Sequence, residues 1–468
     1  MRQSCSPQSG NILRCPLAHF YSAVDIFRKI ELWVVGLLLV FFALTAVGLA
    51  SIVYDTSEGK ARFGKFGDAA VVLAKSPWNL EKMWEEDTRA LSLEPKRFDG
   101  PGGWWVEDSK MSQDIPGYVL LSRHDGDRKR HVVELYDLTD FSLVHQWWPD
   151  PETLLADARR DWAWMDYTAW KRSAWRAIHP LMLGSGDLII KDHYAPLFRI
   201  SPCGERVWMK DDVYYHHSTE FDGEGGFWIP TVAARSDLDG TEDWFIEDRL
   251  TRMSVDGEVI FERSLAKAFI ENGMSQRVFG AGMFANDPFH LNDIEPVLAD
   301  GPFWKKGDLF LSLRRYSMIV QYRPSTDKII WMKEGPWLDQ HDVDIINDHT
   351  IAVFNNNVTD TGQGRRVKDV SEILFYDFTT DTVTSPYRNI METYAIRTPT
   401  EGLFHILPSG HLMLEEENAG RLLIFSPDGD FVASYVNNNE KQTGQRMGWS
   451  RYVSEELGGQ AKKYLSCN

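Results

Sequence analysis

The sequence predicts an all-β fold: a six-bladed β-propeller behind a single N-terminal transmembrane helix, with a small helical insertion. Three observations predict it. From about Pro116 the texture is of short apolar runs split by Gly, Asp, Asn and Pro, which reads as strands and turns. Within it, a hairpin of the form apolar strand, polar turn, apolar strand recurs six times, from Val132, Leu197, Leu250, Met318, Ile373 and Leu422, at spacings of 65, 53, 68, 55 and 49 residues. A second element, a histidine followed by a short loop and an apolar strand, precedes most of these hairpins. It begins at His179, His217, His341 and His405, and in stretched form at His290. About four strands per unit, repeated six times, is the pattern of a propeller. A pair of sandwiches would not require such a repeat.

The elements before the repeats read differently. Residues 1–31 lead into "LWVVGLLLVFFALTAVGLASIV", Leu32 to Val53, which holds no charge and is long enough to span a bilayer core. A cleaved signal peptide is the rival reading, but the leader is long and the apolar run exceeds the usual signal core. Arg2, Arg14, Arg28 and Lys29 precede the span; Lys60, Arg62 and Lys65 follow it among Asp55 and Glu58, which favours the N-terminus inside. The expectation is a single-pass anchor in the inner (cytoplasmic) membrane with the bulk of the chain on the periplasmic or extracytoplasmic side. Residues 54–115 read as a membrane-proximal helical connector, 116–455 as the propeller and 456–468 as a tail. Pro151 to Ala177, "PETLLADARRDWAWMDYTAWKRSAWRA", has helical texture and reads as an insertion. Of the four cysteines, Cys5 and Cys15 fall on the inner side. Cys203 and Cys467 allow a bridge, but their spacing carries no framework signal, and two free thiols are the expectation.

The net charge of −18, with no basic stripe, argues against a nucleic-acid partner. A small-molecule site is untouched by that argument, since local charge can oppose the global sign. In a propeller the innermost strands line a central channel, so residues at equivalent points of successive repeats form a ring. Five of the 13 histidines thereby become candidate neighbours. Three readings stand: each ties its own loop, three hold zinc or copper, or they join Arg314 in an anion site. The metal reading lacks a local ligand pair, and in a strand the adjacent His216 and His217 would point to opposite faces. Arg314 and Arg315 follow the apolar run Leu309–Leu313, where a guanidinium fork would suit a tetrahedral oxyanion.

The run "FHLND…GDLFLSLRRYSMIVQY…DKIIWM…QHDVDIINDHTIAVFNNN" resembles the bacterial arylsulfate sulfotransferases over roughly Gly184 to Val436, most strongly from His290 to Asn357. The resemblance implies an extracytoplasmic six-bladed propeller that moves a sulfuryl group between phenols without the nucleotide donor PAPS. Carried over by motif, His341 matches the covalent nucleophile, His290 and Asn292 the HxN element, Arg314 the SxR arginine, and His216 and His217 the paired histidines, with His217 favoured. His341, His290, His217 and Arg314 are therefore the expected catalytic set. His216, Asn292, Arg315 and His405 are the expected substrate contacts, with no metal and no cofactor. The chain departs from the family in having Ser218 and Thr219 after the pair, where an acid and an aliphatic residue are common, and an anchor with a short connector instead of an N-terminal β-sandwich.

Sulfuryl transfer passes through a loose, planar state with charge on the equatorial oxygens, so it asks for a positioned nucleophile and fixed cations. The expected function is ping-pong transfer from a phenolic sulfate ester to an acceptor phenol through a sulfohistidine. The 18 Trp, 16 Tyr and 25 Phe offer walls for aromatic substrates. Besides those small molecules and the membrane, an envelope protein partner or a homo-oligomer stays open. A non-catalytic propeller scaffold in a cell-envelope complex is the alternative reading, and a metal-dependent hydrolase a third.

Overall fold

The computed structural model describes residues 31–57, 61–85, 91–93, 97–107, 115–160, 162, 165, 167–241, 245–280, 285–362 and 364–467. The chain forms two compact units, residues 1–88 and 89–468. In the first, a helix Leu32–Ser57 is followed by a helix Gly64–Glu85. Leu32–Thr56 has a mean hydropathy of 2.6 and is long and apolar enough to cross a membrane; a signal sequence would meet the same description. At about 1.5 Å per residue it exceeds the roughly 30 Å hydrocarbon core. Its two hydroxyls are satisfied inside the helix, Thr45 Oγ1 donating to the Phe41 carbonyl and Ser51 Oγ to that of Val47, both at 2.8 Å. Most of the expected N-terminal cytoplasmic segment and parts of the connector lie outside the described residues.

The second unit is all-β and propeller-like. Among the described residues its sheets are antiparallel: three of four strands, one of five and one of eight, with two small two-stranded ones besides. The last strand, Arg451–Val453, pairs with the first long one, Tyr118–Asp125, and closes the ring (Arg451 opposite Leu120, Val453 opposite Tyr118). Period-two alternation explains how sheets stack. In the strand Leu309–Leu313, Leu309, Leu311 and Leu313 pack with Trp228 and Leu250 of the preceding sheet. Phe310 turns the other way, to Ile351 and Val353 of the next. Ala352 and Phe354 then pass the core onward to Phe404, Leu414 and Phe425. Strands buried on both faces read as continuous apolar runs, while the outer strand Lys328–Glu334 alternates between exposed and half-buried positions.

Three findings depart from expectation. The repeats do not form six separate sheets: the ten-residue strand Arg206–Tyr215 slips register against its hairpin partner between Lys210 and Tyr215, and its final Tyr214 and Tyr215 also pair with Val232 and Thr231, fusing two units into the eight-stranded sheet. Among its described residues the 151–177 insertion contains only a short helix Pro151–Leu154 and a 3-10 turn Tyr167–Trp170. It serves instead as an aromatic cover, with Trp162, Trp170 and Trp175 buried around Tyr214. And Cys203 and Cys467 are joined in a disulfide, their Cα atoms 5.5 Å apart across 264 residues of sequence, not left as free thiols. A bridge that far in sequence leaves no local spacing to read.

Candidate active site

The site begins with a backbone detail. Six residues other than glycine sit at positive φ just ahead of an innermost strand: His179 (47°), His217 (51°), His290 (52°), Asp339 (57°), Glu401 (58°) and Trp449 (62°). Residues with a Cβ are uncommon there, so six recurrences mark a shared lead-in geometry. They also correct the expected register. His179, His217 and His290 are equivalent, but His341 lies two residues past Asp339, and His405 lies four past Glu401, inside the strand Leu403–Ile406. The positive φ of His217 corrects a second expectation. Instead of pointing apart as in a strand, the His216 and His217 rings meet, Nδ1 to Nδ1 at 2.7 Å.

His341 is held from every side. The Gln340 side chain donates to Met318 O (3.0 Å) and Ser312 Oγ (3.2 Å), and the Asn292 amide donates to Gln340 O (2.9 Å). His341 Nδ1 faces Asn356 Oδ1 at 2.7 Å. The Asn356 amide nitrogen donates to the carbonyls of Thr398 (2.9 Å) and Glu401 (2.6 Å), so its oxygen is the end facing the ring. The imidazole therefore carries its proton on Nδ1, and Nε2 presents a lone pair, which accepts the Glu401 N–H at 3.0 Å. His341 is 1 % exposed, and burial, reinforced by Arg314, presses its pKa down to about 3.

Above it lies a chain of alternating charge. Asp287 Oδ2 accepts from His290 Nδ1 at 2.5 Å, and Arg314 Nη1 donates to His290 Nε2 at 3.0 Å. Arg314 Nε is 3.4 Å from Asp339 Oδ1, and Arg365 pairs with the other oxygen of Asp339. Burial pushes the Asp287 carboxyl up, but its bond and charge contact with His290 outweigh that and hold it below its ordinary value. The His217 ring centroid is 5.1 Å from that of His290 and 6.5 Å from that of His341, and Trp449 lies 6.2 Å from both His217 and His341. Burial drives the His217 pKa well down. His193 stacks 4.4 Å from His217 and binds Glu401 Oε1 at 2.9 Å, while Arg176 holds the same carboxylate at 2.9 Å.

The structure thus brings together His341, His290, His217 and Arg314, with His216 and Asn292 behind them. His216 is buried, 3.2 Å from Asp248 and stacked on Tyr194, so it supports His217 and lines no open surface. Arg315 is exposed and makes no side-chain hydrogen bond or ion pair among the described residues. His405 is elsewhere. It lines a separate cavity of about 260 Å³ with Glu220, Asp293, Glu295, Asp342, Asp344 and Arg451. Asp287, Asn356, Glu401 and His193 were not anticipated; of these only Asp287, three residues before His290, leaves a local trace. Among the described residues no group of three His, Cys, Asp or Glu is arranged to hold a metal.

Among curated proteins none matches the sequence. Solved structures similar to the chain include a protein of unknown function from Bacteroides caccae (10 % identity, TM-score 0.46, covering 72 % of this chain and 99 % of that one). Virginiamycin B lyase from Staphylococcus aureus (13 %, TM-score 0.32, 57 % and 72 %) and the WD40 β-propeller domain of Doa1 (10 %, TM-score 0.37, 78 % and 96 %) are also similar. The family model for arylsulfotransferase (ASST) matches residues 179–438, more than half of the chain and the whole of the histidine constellation but Trp449 and Arg176, and the chain belongs to the arylsulfotransferase family.

Proposed function

We propose that this protein is a PAPS-independent aryl sulfotransferase that works through a sulfohistidine on His341. The observation that carries the reading is a buried, neutral imidazole whose Nε2 lone pair lies beside the Arg314–His290 pair. In the first half-reaction the Glu401 N–H gives way, and His341 Nε2 attacks the sulfur of the aryl sulfate. The N–S bond forms as the S–O bond to the phenol breaks; Arg314 turns from His290 Nε2 to the sulfuryl oxygens, and the phenolate oxygen takes a proton that His290 or His217 has first gained from solvent. Arg314 binds the equatorial oxygens, where charge accumulates. Positive charge developing on the His341 ring is met at Nδ1–H by the Asn356 oxygen. In the second half an acceptor phenol returns its proton to the same histidine, its oxygen attacks sulfur, and the N–S bond breaks.

The finer architecture belongs to the same proposal. The recurrence of the left-handed lead-in six times supports six blades, two sharing one continuous sheet. The apolar helix, the flanking basic residues and the Cys203–Cys467 bridge support a single-pass anchor in the inner membrane with the propeller in an oxidising, extracytoplasmic space.

The full chain in detergent, given p-nitrophenyl sulfate alone, should release one burst of nitrophenol and retain one sulfuryl group on the peptide holding His341. Adding phenol should discharge it and sustain turnover. Release independent of phenol, or a label on another residue, would overturn the mechanism.

A further inference from the structure

The asparagine triplet "NNN" is only partly explained by the grip of Asn356 on His341. Its neighbours serve a different element. The strands Val358–Asp360 and Arg365–Val367 form a two-stranded hairpin outside the blade, since the strands on either side of it, Thr350–Asn355 and Glu372–Asp377, pair directly with each other. Asn355 Oδ1 accepts from Leu338 N (2.7 Å) and Asn357 N (3.0 Å). Asn357 Nδ2 donates to the carbonyls of Lys368 (2.7 Å) and Val370 (2.9 Å), which ties off the hairpin base. The hairpin is therefore rooted on the Leu338–His341 segment, and its first returning residue, Arg365, reaches back over that segment.

Arg365 donates to Asp339, and to Pro399 O at 3.4 Å. Asp339 is thus shared between Arg314 beneath and Arg365 outside, whose side chains are 13 % and 37 % exposed. Asp287 and Asp339 offset two of the three guanidinium groups of Arg314, Arg315 and Arg365, which leaves a net positive charge at the mouth of the site, in a chain whose total charge is −18. Arg314 already lies against His290, in reach of a sulfuryl group bound over His341. Arg365 stands on the solvent side of Asp339, where the remainder of a substrate would lie.

We infer that Arg365 is a specificity-determining residue: it exchanges Asp339 for a second anionic group on the aryl substrate, so that the preferred substrates are sulfate esters of phenols bearing a carboxylate or other anion. The inference rests on the transferase reading for its wording, and on the Arg314–Asp339–Arg365 geometry for its substance. Arg365 gives Asp339 one contact, through Nη2, whereas a planar guanidinium can bind a carboxylate through two parallel hydrogen bonds, so a substrate anion can take the place of Asp339. Asp339 becomes a competitor for the site. Substituting it should have the opposite sign to substituting Arg365.

Two readouts test this on the full chain. In turnover, kcat/KM for 4-carboxyphenyl sulfate relative to phenyl sulfate should fall about tenfold in Arg365→Gln, mostly through KM, and rise in Asp339→Asn. Asparagine tolerates the left-handed backbone that residue 339 requires. In binding, calorimetry with the non-transferable 4-sulfobenzoate and benzenesulfonate should show the same two shifts. If the sulfonates behave so while no sulfate is turned over, the specificity inference stands and the transferase reading fails. If both variants weaken binding, Arg365 and Asp339 are merely structural and the inference fails. It fails equally if the wild type makes no distinction between the paired ligands.

Discussion

The mouth of the site and the acidic cavity are built by the same inner strands yet treat charge in opposite ways. His290 stands just before the strand Leu291–Pro296, and Glu295 near its end, about 16 Å farther along. Likewise His341 faces the mouth, while its neighbour Asp342 lines the cavity. At the mouth Asp287 is bound to His290, and Asp339 lies between Arg314 and Arg365. In the cavity Asp293, Glu295, Asp342 and Asp344 repel one another across a small space. Burial first, then repulsion from Glu220 and, for all but Asp293, from one another, raises all four, Asp293 to about 7. Some of the carboxylates have structural duties, Asp293 accepting from Val343 N and Asp342 from Phe404 N, both at 3.0 Å. One region is poised for anions, and the other stores unfavourable charge between blades.

Substitutions at the mouth should therefore cost activity and little stability. His341→Ala should lower nitrophenol release about a thousandfold or more, since it removes the group that forms the intermediate. Arg314→Ala should cost about a hundredfold to a thousandfold, mainly in kcat, because its charge is needed most in the transition state. A loss confined to KM would mean that Arg314 binds ground state and transition state alike. Such uniform binding would blur the contrast between the two regions.

These residues were legible in the sequence, because His290, Asn292, Arg314 and His341 belong to short motifs on successive strands. The recurring histidine also led to the idea of a ring, but to the wrong members. The repeated property is the left-handed lead-in, which acidic and aromatic side chains occupy here as well as histidine. Hence Asp339, Glu401 and Trp449 went unseen and His405 was assigned to the wrong region. Asn356 meets His341 across paired strands of one sheet and Glu401 reaches it from the next, contacts that no local pattern encodes. The fused sheet depends on two residues at the end of one long strand, Tyr214 and Tyr215, and apolar periodicity does not report where pairing stops.

A smaller effect separates the roles of charge within the mouth. Asp287→Asn keeps the shape but removes the carboxylate that accepts from His290 Nδ1 and so fixes its tautomer. A loss of about tenfold to a hundredfold is expected, with a changed pH profile for the half-reaction that protonates the phenolate. Unchanged profiles would show that His217, not His290, handles that proton. Imidazole NMR provides an independent check on the nucleophile. The His341 ring should remain neutral at pH 5, where an ordinary histidine is largely protonated; a midpoint near its usual value of about 6.5 would contradict the environment described.

The smallest effect, and the one with opposite sign, belongs to the cavity. Asp344 is raised by burial first and then by Asp293 and Glu220, against a weaker pull from Arg451. A carboxyl raised on folding holds its proton in the native state after the unfolded chain has released it. Stability then falls as pH climbs from the ordinary carboxylate range, about 4, toward the raised value. Asp344→Asn removes both the titration and one of the repelling charges, at a side chain with no hydrogen bond among the described residues. The variant should melt about 1–3 °C above the wild type at pH 8, and the gap should close as pH approaches 4. Its transferase activity should stay within about twofold, since His341 and Arg314 lie at the other end of the inner strands. A lower melting temperature at pH 8 would mean that the cavity's negative charge is compensated rather than stored, and the opposition between the two regions would collapse.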